Sequence, residues 1–315
     1  MAVTLAQAKL LTQDKLTQFV IDEFRKDPIM DKLTFDDDVA MGGGSTLAYI
    51  YNRVTTLPTA ATRAINAEYA AQHAVTSQIV ANLKVFGGSF EVDRVIAQRV
   101  KGITDQVSFQ MDQKIKATKA LFADLFINGD SGVDVTAFDG LDKAVTGSST
   151  EANTAADIDL NSSADIDSNF KTFMDALDVW ISTLDGTPDA LIMNKKMFAV
   201  MQAIARRSNS FTASTDEFGK KTTSYSGIQF IEVGDKPGTS NPIIPITAGV
   251  TSIYAARFGL DGVHGVSADG SKLISAYLPD FKTAGAVKKG EVEMVACMAL
   301  KATRAAGAFR RLLIS

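Results

Sequence analysis

The chain has 315 residues, enough for two domains or one large one, with 46% hydrophobic and 22% charged residues, the balance of a packed water-soluble protein. Its net charge of −4 gives no electrostatic basis for tight nucleic-acid binding. A single cysteine, Cys297, excludes a disulfide framework within the chain and fits a reducing cytoplasm, and no run approaches the ~20 apolar residues of a membrane span.

Residues 1–11 lack a basic stretch followed by a long apolar run, so they do not read as a signal peptide. Residues 4–26 pattern as an amphipathic helix: Thr4 caps it with Gln7 reaching back, and Leu16, Phe19, Val20 and Phe24 fall at helical spacing. Pro28 stops it, and Asp36, Asp37 and Asp38 with Gly42, Gly43 and Gly44 mark a flexible joint. Leu47, Tyr49 and Tyr51 then alternate with Ala48, Ile50 and Asn52 as in a strand. Residues 55–72 are rich in Thr and Ala. Beyond them Val75, Ile79, Ala81, Leu83 and Val85 occupy every other position apart from Ser77. The pattern predicts a long two-stranded excursion with a loose tip. An isolated two-stranded ribbon is marginal in water, so this one needs its own domain or a neighbouring molecule to rest on, which is the first sign of assembly.

After Gly87 and Gly88 comes a strand at Ser89–Val95, then a long helix at about 104–126 with Ile103, Val107, Met111, Ile115, Thr118, Phe122 and Leu125 on one face, ended by Asn128-Gly129. Residues 145–168 are rich in Ser, Thr, Asp and Asn and read as a loop or boundary. A second helix is expected at 165–184, a short apolar strand at 190–193, and a third helix capped by Asn194 with Met197, Val200, Met201 and Ile204 buried. Arg206 and Arg207 lie at its C-terminal end, where the dipole favours cations. Strands follow at 227–233 and 251–256. Val292, Met294, Ala296, Met298 and Leu300 alternate along another strand, and a last run ends at Phe309–Ile314. The class is α+β, with helices and strands interleaved but no regular βαβ rhythm.

The motifs that could carry chemistry are each better explained without it. Gly129-Asp130-Ser131-Gly132 matches the nucleophile string of trypsin-like proteases, but that chemistry needs a histidine base, and only His73 and His264 exist. Asp157, Asp159 and Asn161 resemble the start of a calcium loop, yet the sixth position is Ser162 and the twelfth Ser168. Neither Gly42-Gly43-Gly44-Ser45 nor Gly219-Lys220-Lys221-Thr222 completes a phosphate loop. The histidines have no ligand cluster beside them, and Cys297 in an alternating strand reads as a small core residue. No catalytic residue, metal or cofactor is expected.

The order of these parts resembles the Hong Kong 97-type major capsid protein of tailed bacteriophages. Arg63-Ala64-Ile65-Asn66-Ala67-Glu68-Tyr69 is similar to an Arg-x-x-Asn-x-x-Tyr pattern of that family's extended loop. Phe126-Ile127-Asn128-Gly129-Asp130 with Phe138-Asp139-Gly140-Leu141 resembles the end of its spine helix, and Pro188 to Asn194 the strand entering its axial domain. The resemblance implies an N-terminal arm at 1–38, an extended loop hairpin at 39–84, and an axial domain at 151–275. It implies a peripheral domain at 85–150 and 276–315, with a spine helix at about 100–128. It further implies pentamers and hexamers that tile an icosahedral shell around DNA, in the virion and assembled in the host bacterial cytoplasm. Its partners would be other copies of the chain, a separate scaffolding protein, a portal and packaged DNA touched non-specifically, with no membrane. An encapsulin-type compartment that packages a cargo enzyme shares the fold and is the alternative. The expected contact residues between subunits are Phe19, Phe24, Tyr49, Tyr51, Arg63, Asn66 and Tyr69. Some relatives lock the shell with a Lys–Asn crosslink whose lysine sits on the extended loop. This sequence has no lysine between Lys32 and Lys84, so that crosslink is not expected.

Overall fold

The computed structural model of the chain describes residues 29–36, 47–99, 106–208, 211–215, 221–268 and 273–315. The amphipathic helix expected at 4–26, with Phe19 and Phe24, and the glycine joint at 42–44 lie outside the described residues.

In chain order the elements are β1 (Phe35–Asp36), β2 (Ala48–Thr56), β3 (Val75–Asn82), β4 (Lys84–Asp93), α1 (Arg94–Arg99), α2 (Gln106–Asn128), α3 (Leu141–Val145), β5 (Glu151–Asp159) and α4 (Ser163–Ser182). Then come β6 (Ala190–Asn194), α5 (Lys195–Ser208), β7 (Phe211–Thr215), β8 (Lys221–Tyr225), β9 (Ile228–Val233), β10 (Val250–Ala256), β11 (Val263–Ser267), β12 (Ile274–Tyr277), β13 (Val287–Leu300) and β14 (Ala306–Leu313). They form three sheets. In the first, β1, β11, β13 and β12 lie in that order, with β4 also paired to β13. The second has seven strands in the order β5-β14-β10-β6-β9-β8-β7, and the third is the β2–β3 hairpin.

The long helix α2 lies against the first sheet. Phe122, Phe126 and Ile127 are fully buried there. Phe122 sits among four other rings, 5.7 Å from Phe35, 6.1 Å from Phe86, 6.2 Å from Phe126 and 5.8 Å from Phe138. The helix stops where the sequence predicted. Gly129 N–H donates to the Leu125 carbonyl at 2.9 Å, and a Cβ at Gly129 would lie 2.2 Å from the Phe138 carbonyl oxygen, so only glycine fits this close approach.

The second sheet carries α4 and α5. Trp180 stacks on Phe309 with centroids 5.5 Å apart, and its indole N–H donates to the Thr150 carbonyl at 2.9 Å. Ser162 caps α4 and Asp165 reaches back to it, the reciprocal box that satisfies two free backbone donors. Asn194 caps α5 by accepting from Met197 N–H at 2.8 Å, while its amide donates to Thr251 Oγ1 and the Ile244 carbonyl.

Two sequence expectations are corrected here. The Ser/Thr/Asp-rich stretch read as a loop holds β5, an edge strand parallel to β14. Propensity was overridden by pairing: the Arg311 guanidinium binds Asp157 and the Thr154 and Ala155 carbonyls across the bulge between the two strands. The strands near 85–95 and 276–315, expected to gather in one peripheral sheet, also do not all share a sheet. β13 lies in the first, whereas β14 crosses to the second and pairs with β10, and β11 from the preceding segment takes the place beside β13. A short 3-10 turn at Thr303–Ala305 makes that crossing.

Candidate assembly surface

The β2–β3 hairpin pairs Tyr49 with Ala81, Tyr51 with Ile79 and Arg53 with Ser77 on one face, and Ile50 with Val80 and Asn52 with Gln78 on the other. Successive side chains point to opposite sides of a strand, so the two faces meet different surroundings. The first meets the chain's own body. The Tyr49 hydroxyl donates to Asp36 Oδ2 at 2.7 Å, and the Tyr51 hydroxyl to the Leu300 carbonyl at 2.9 Å. Arg53 Nε donates to the Lys301 carbonyl at 3.0 Å and Nη2 to that of Leu300. The Lys301 ammonium lies 5.3 Å over the Tyr49 ring. Burial raises the Tyr51 phenol above its ordinary value, with nearby Arg53 opposing. Among the described residues, the second face is left open. Ile50, Val54 and Val80 are half exposed, an open apolar stripe of the kind that marks an interaction site.

Beyond the root the hairpin leaves the body. Leu57 is 77% exposed, Tyr69 62% and Ile65 91%, values incompatible with packing against the chain's own core. The tip is nonetheless shaped. Asn66 takes a left-handed φ of 68°, a conformation asparagine tolerates, within a turn closed by Ala67 N–H to the Ala64 carbonyl at 3.1 Å. Arg63 donates to the Ala67 carbonyl at 3.2 Å, and its guanidinium lies 5.4 Å over the Tyr69 ring. The Arg-x-x-Asn-x-x-Tyr spacing thus has a physical reading: Asn66 turns the chain so that Arg63 stacks on Tyr69.

The expected contact residues therefore divide. Arg63, Asn66 and Tyr69 come together at the exposed tip. Tyr49 is buried in its own chain and Tyr51 is bonded to its own β13, so both hold the hairpin root to the chain's own body. Phe19 and Phe24 lie outside the described residues. Sequence reasoning missed Arg53 as an anchor and Ile50, Val54 and Val80 as the outward stripe. The period-two alternation contained both faces, and only the fold shows which one turns outward.

A cavity of about 290 Å³ lies beneath the root, between Tyr51, Arg53 and Ile79 of the hairpin and Phe138, Lys143 and Met298 of the body. The Asp130-Ser131 string borders this region. Lys143 Nζ donates to Asp130 at 2.5 Å and to Ser131 Oγ at 3.3 Å, and pairs with Asp139 at 2.9 Å. The hydrogen bonds it donates to the two carboxylates raise the lysine above its ordinary value, so it stays protonated and cannot take a proton from Ser131. Burial pushes the Cys297 thiol up to about 12, which leaves it inert as a nucleophile. Among the described residues, no group of three or more His, Cys, Asp or Glu side chains could hold a metal ion.

No family model matches the chain, and no curated protein matches it. Solved structures match over essentially its whole length. The encapsulin of a holo complex from Synechococcus elongatus PCC 7942 has a TM-score of 0.67 at 14% identity, covering 100% of this chain and 98% of that chain. The capsid of a native GTA particle gives 0.64 at 12% identity, with 96% of each chain covered. The capsid of Myoviridae phage XM1 gives 0.61 at 10% identity, covering 99% of each. The chain has a Hong Kong 97-like capsid fold, a mixed helix-and-sheet architecture of the class expected from the order of its parts.

Proposed function

We propose that the chain is a shell-building subunit that self-assembles as pentamers and hexamers into a closed icosahedral shell enclosing phage DNA. The observation that carries this reading is a capsid-type fold with a hairpin whose root is anchored to its own body while its tip and outward apolar stripe are uncovered. In this reading the hairpin is the extended loop, α2 the spine helix, the first sheet the peripheral domain and the seven-stranded sheet the axial domain. Contacts around each ring are heterologous, as closed rings require. A scaffolding protein, a portal and the packaged DNA complete the assembly, which forms in the host bacterial cytoplasm.

Electron microscopy of the purified protein tests it. Closed particles are expected; a strictly monomeric species under all conditions, with an intact hairpin, would overturn it. Denaturing gels of those particles are expected to show a monomer band without covalent ladders. Lys84, the first lysine after the tip, donates instead to its own chain's Val135 carbonyl at 2.7 Å. Arg63→Glu is expected to abolish the stacking on Tyr69 and lower particle yield at least about tenfold, while the thermal midpoint of the subunit stays within about 2 °C, because the site is exposed. Normal particle yield would remove Arg63 from the contact.

The similarity to an encapsulin over the full chain favours a second reading, a nanocompartment shell that packages a cargo enzyme. The gene neighbourhood separates the two: terminase and portal genes for a phage, a peroxidase or ferritin-like gene for a compartment.

A further inference from the structure

His264, the second residue of β11, is fully buried, and among the described residues neither Nδ1 nor Nε2 has a hydrogen-bond partner within bonding geometry. Its ring meets that of Tyr49 edge-on, with centroids 5.7 Å apart and planes at 80°. The hairpin root is thus packed on an unpartnered imidazole. We propose that His264 is a proton-operated release for the hairpin, whose protonation loosens the β2–β3 root from the first sheet.

The reason is solvation. An imidazolium has two N–H donors and needs acceptors or water for both. The closed root offers one of them only the Gly262 carbonyl, which already accepts from the Lys301 N–H at 3.0 Å, and among the described residues it offers the other nothing. The charged and titratable groups that face it come from each element around it. Lys301, just past the end of β13, opposes a second cation; Asp36 of β1 and Asp261 before β11 favour one; Tyr49 of β2 is neutral. Asp36 already accepts from the Tyr49 hydroxyl. Drawing that carboxylate toward His264 takes it from Tyr49, and admitting water displaces the Tyr49 ring. Either response unseats the root.

Burial first, and Lys301 second, hold the imidazole below its ordinary value while the root is closed. An opened root returns it to about 6.5. The open form therefore binds the proton more tightly. Well above pH ~6.5 neither form is protonated and closure is unaffected. As pH falls below that value, closure weakens by up to about tenfold per pH unit, until the closed-state value is passed.

Deuterium exchange of the β2 amides in the purified subunit, corrected for the intrinsic pH dependence of exchange, reads this opening. Between about pH 7.5 and about pH 5.5 the wild type is expected to show a rise of up to about tenfold. His264→Phe, which keeps a ring against Tyr49 without a titrating nitrogen, is expected to stay level. An equal rise in both, or none in the wild type, overturns the proposal. If His264→Phe does not fold, the wild type decides alone. Deuterium uptake at imidazole C2, read by mass spectrometry, gives the protonation midpoint of His264 separately from that of the one other histidine, exposed His73. A midpoint at or above about 6.5 sinks the switch. Both measurements work on free or assembled subunits, so their outcome is independent of the shell reading.

Discussion

Phe122→Ala is expected to cost the subunit about 3–5 kcal/mol, the range for truncating a buried aromatic side chain. Phe122 is fully buried, and its ring is shared by four others: Phe35 from β1, Phe86 from β4, Phe126 one turn along α2, and Phe138 from the loop after it. Because these neighbours come from different elements, no single one can shift to fill the void without losing its own contacts. The residual cavity adds to the lost transfer energy. A domain's whole stability is about 5–15 kcal/mol, so the variant loses a large fraction of it. Urea unfolding of the dissociated subunit, followed by far-UV circular dichroism, measures the change; poor recovery of soluble protein is the stronger form of the same result. A loss under about 1 kcal/mol would mean that the rings can collapse onto one another and that α2 is held mainly by other contacts.

What the sequence made legible is what depends on neighbours a few residues away. The helix expected at 104–126 is Gln106–Asn128, the second expected at 165–184 is Ser163–Ser182, and Asn194 caps the third as its position implied. Elements that depend on distant partners were illegible. In β11, Val263-His264-Gly265-Val266-Ser267 shows no strong apolar alternation, yet all five residues are buried because β1 and β13 flank the strand and Phe35 lies where a Cβ on Gly265 would be. β14 reads as a continuation of the β13 pattern, but its register is set by β10 and β5. At the candidate site the limit is one of parity. Alternation in β2 reveals two faces, and a shift of one residue would exchange Tyr49, Tyr51 and Arg53 with Ile50, Asn52 and Val54. Nothing local decides which set faces the body. The bonds to Asp36, Leu300 and Lys301 decide it, and these partners are as many as 249 residues away.

Excising residues 57–74 is expected to leave a folded subunit that no longer assembles. Thr56 and Val75 are paired at the point where the tip begins, so an Asn-Gly turn can join the two strands there. Every residue removed is exposed, and the root bonds of Tyr49, Tyr51 and Arg53 lie outside the excision. The thermal midpoint of the free subunit should therefore change little. Assembly should change greatly. If a neighbour covers even about 200 Å² of the tip's apolar surface, at about 25 cal/mol per Å², the contact is worth about 5 kcal/mol before ordering costs. That corresponds to more than a thousandfold in association, repeated at every subunit of the shell. Light scattering across a concentration series, with electron microscopy of the end point, reads the result. Particles at wild-type yield would show that the tip is not a contact. A large fall in thermal midpoint would show instead that the tip supports its own chain, and the case for a neighbouring copy would then rest on the Ile50, Val54 and Val80 stripe, which the excision leaves intact.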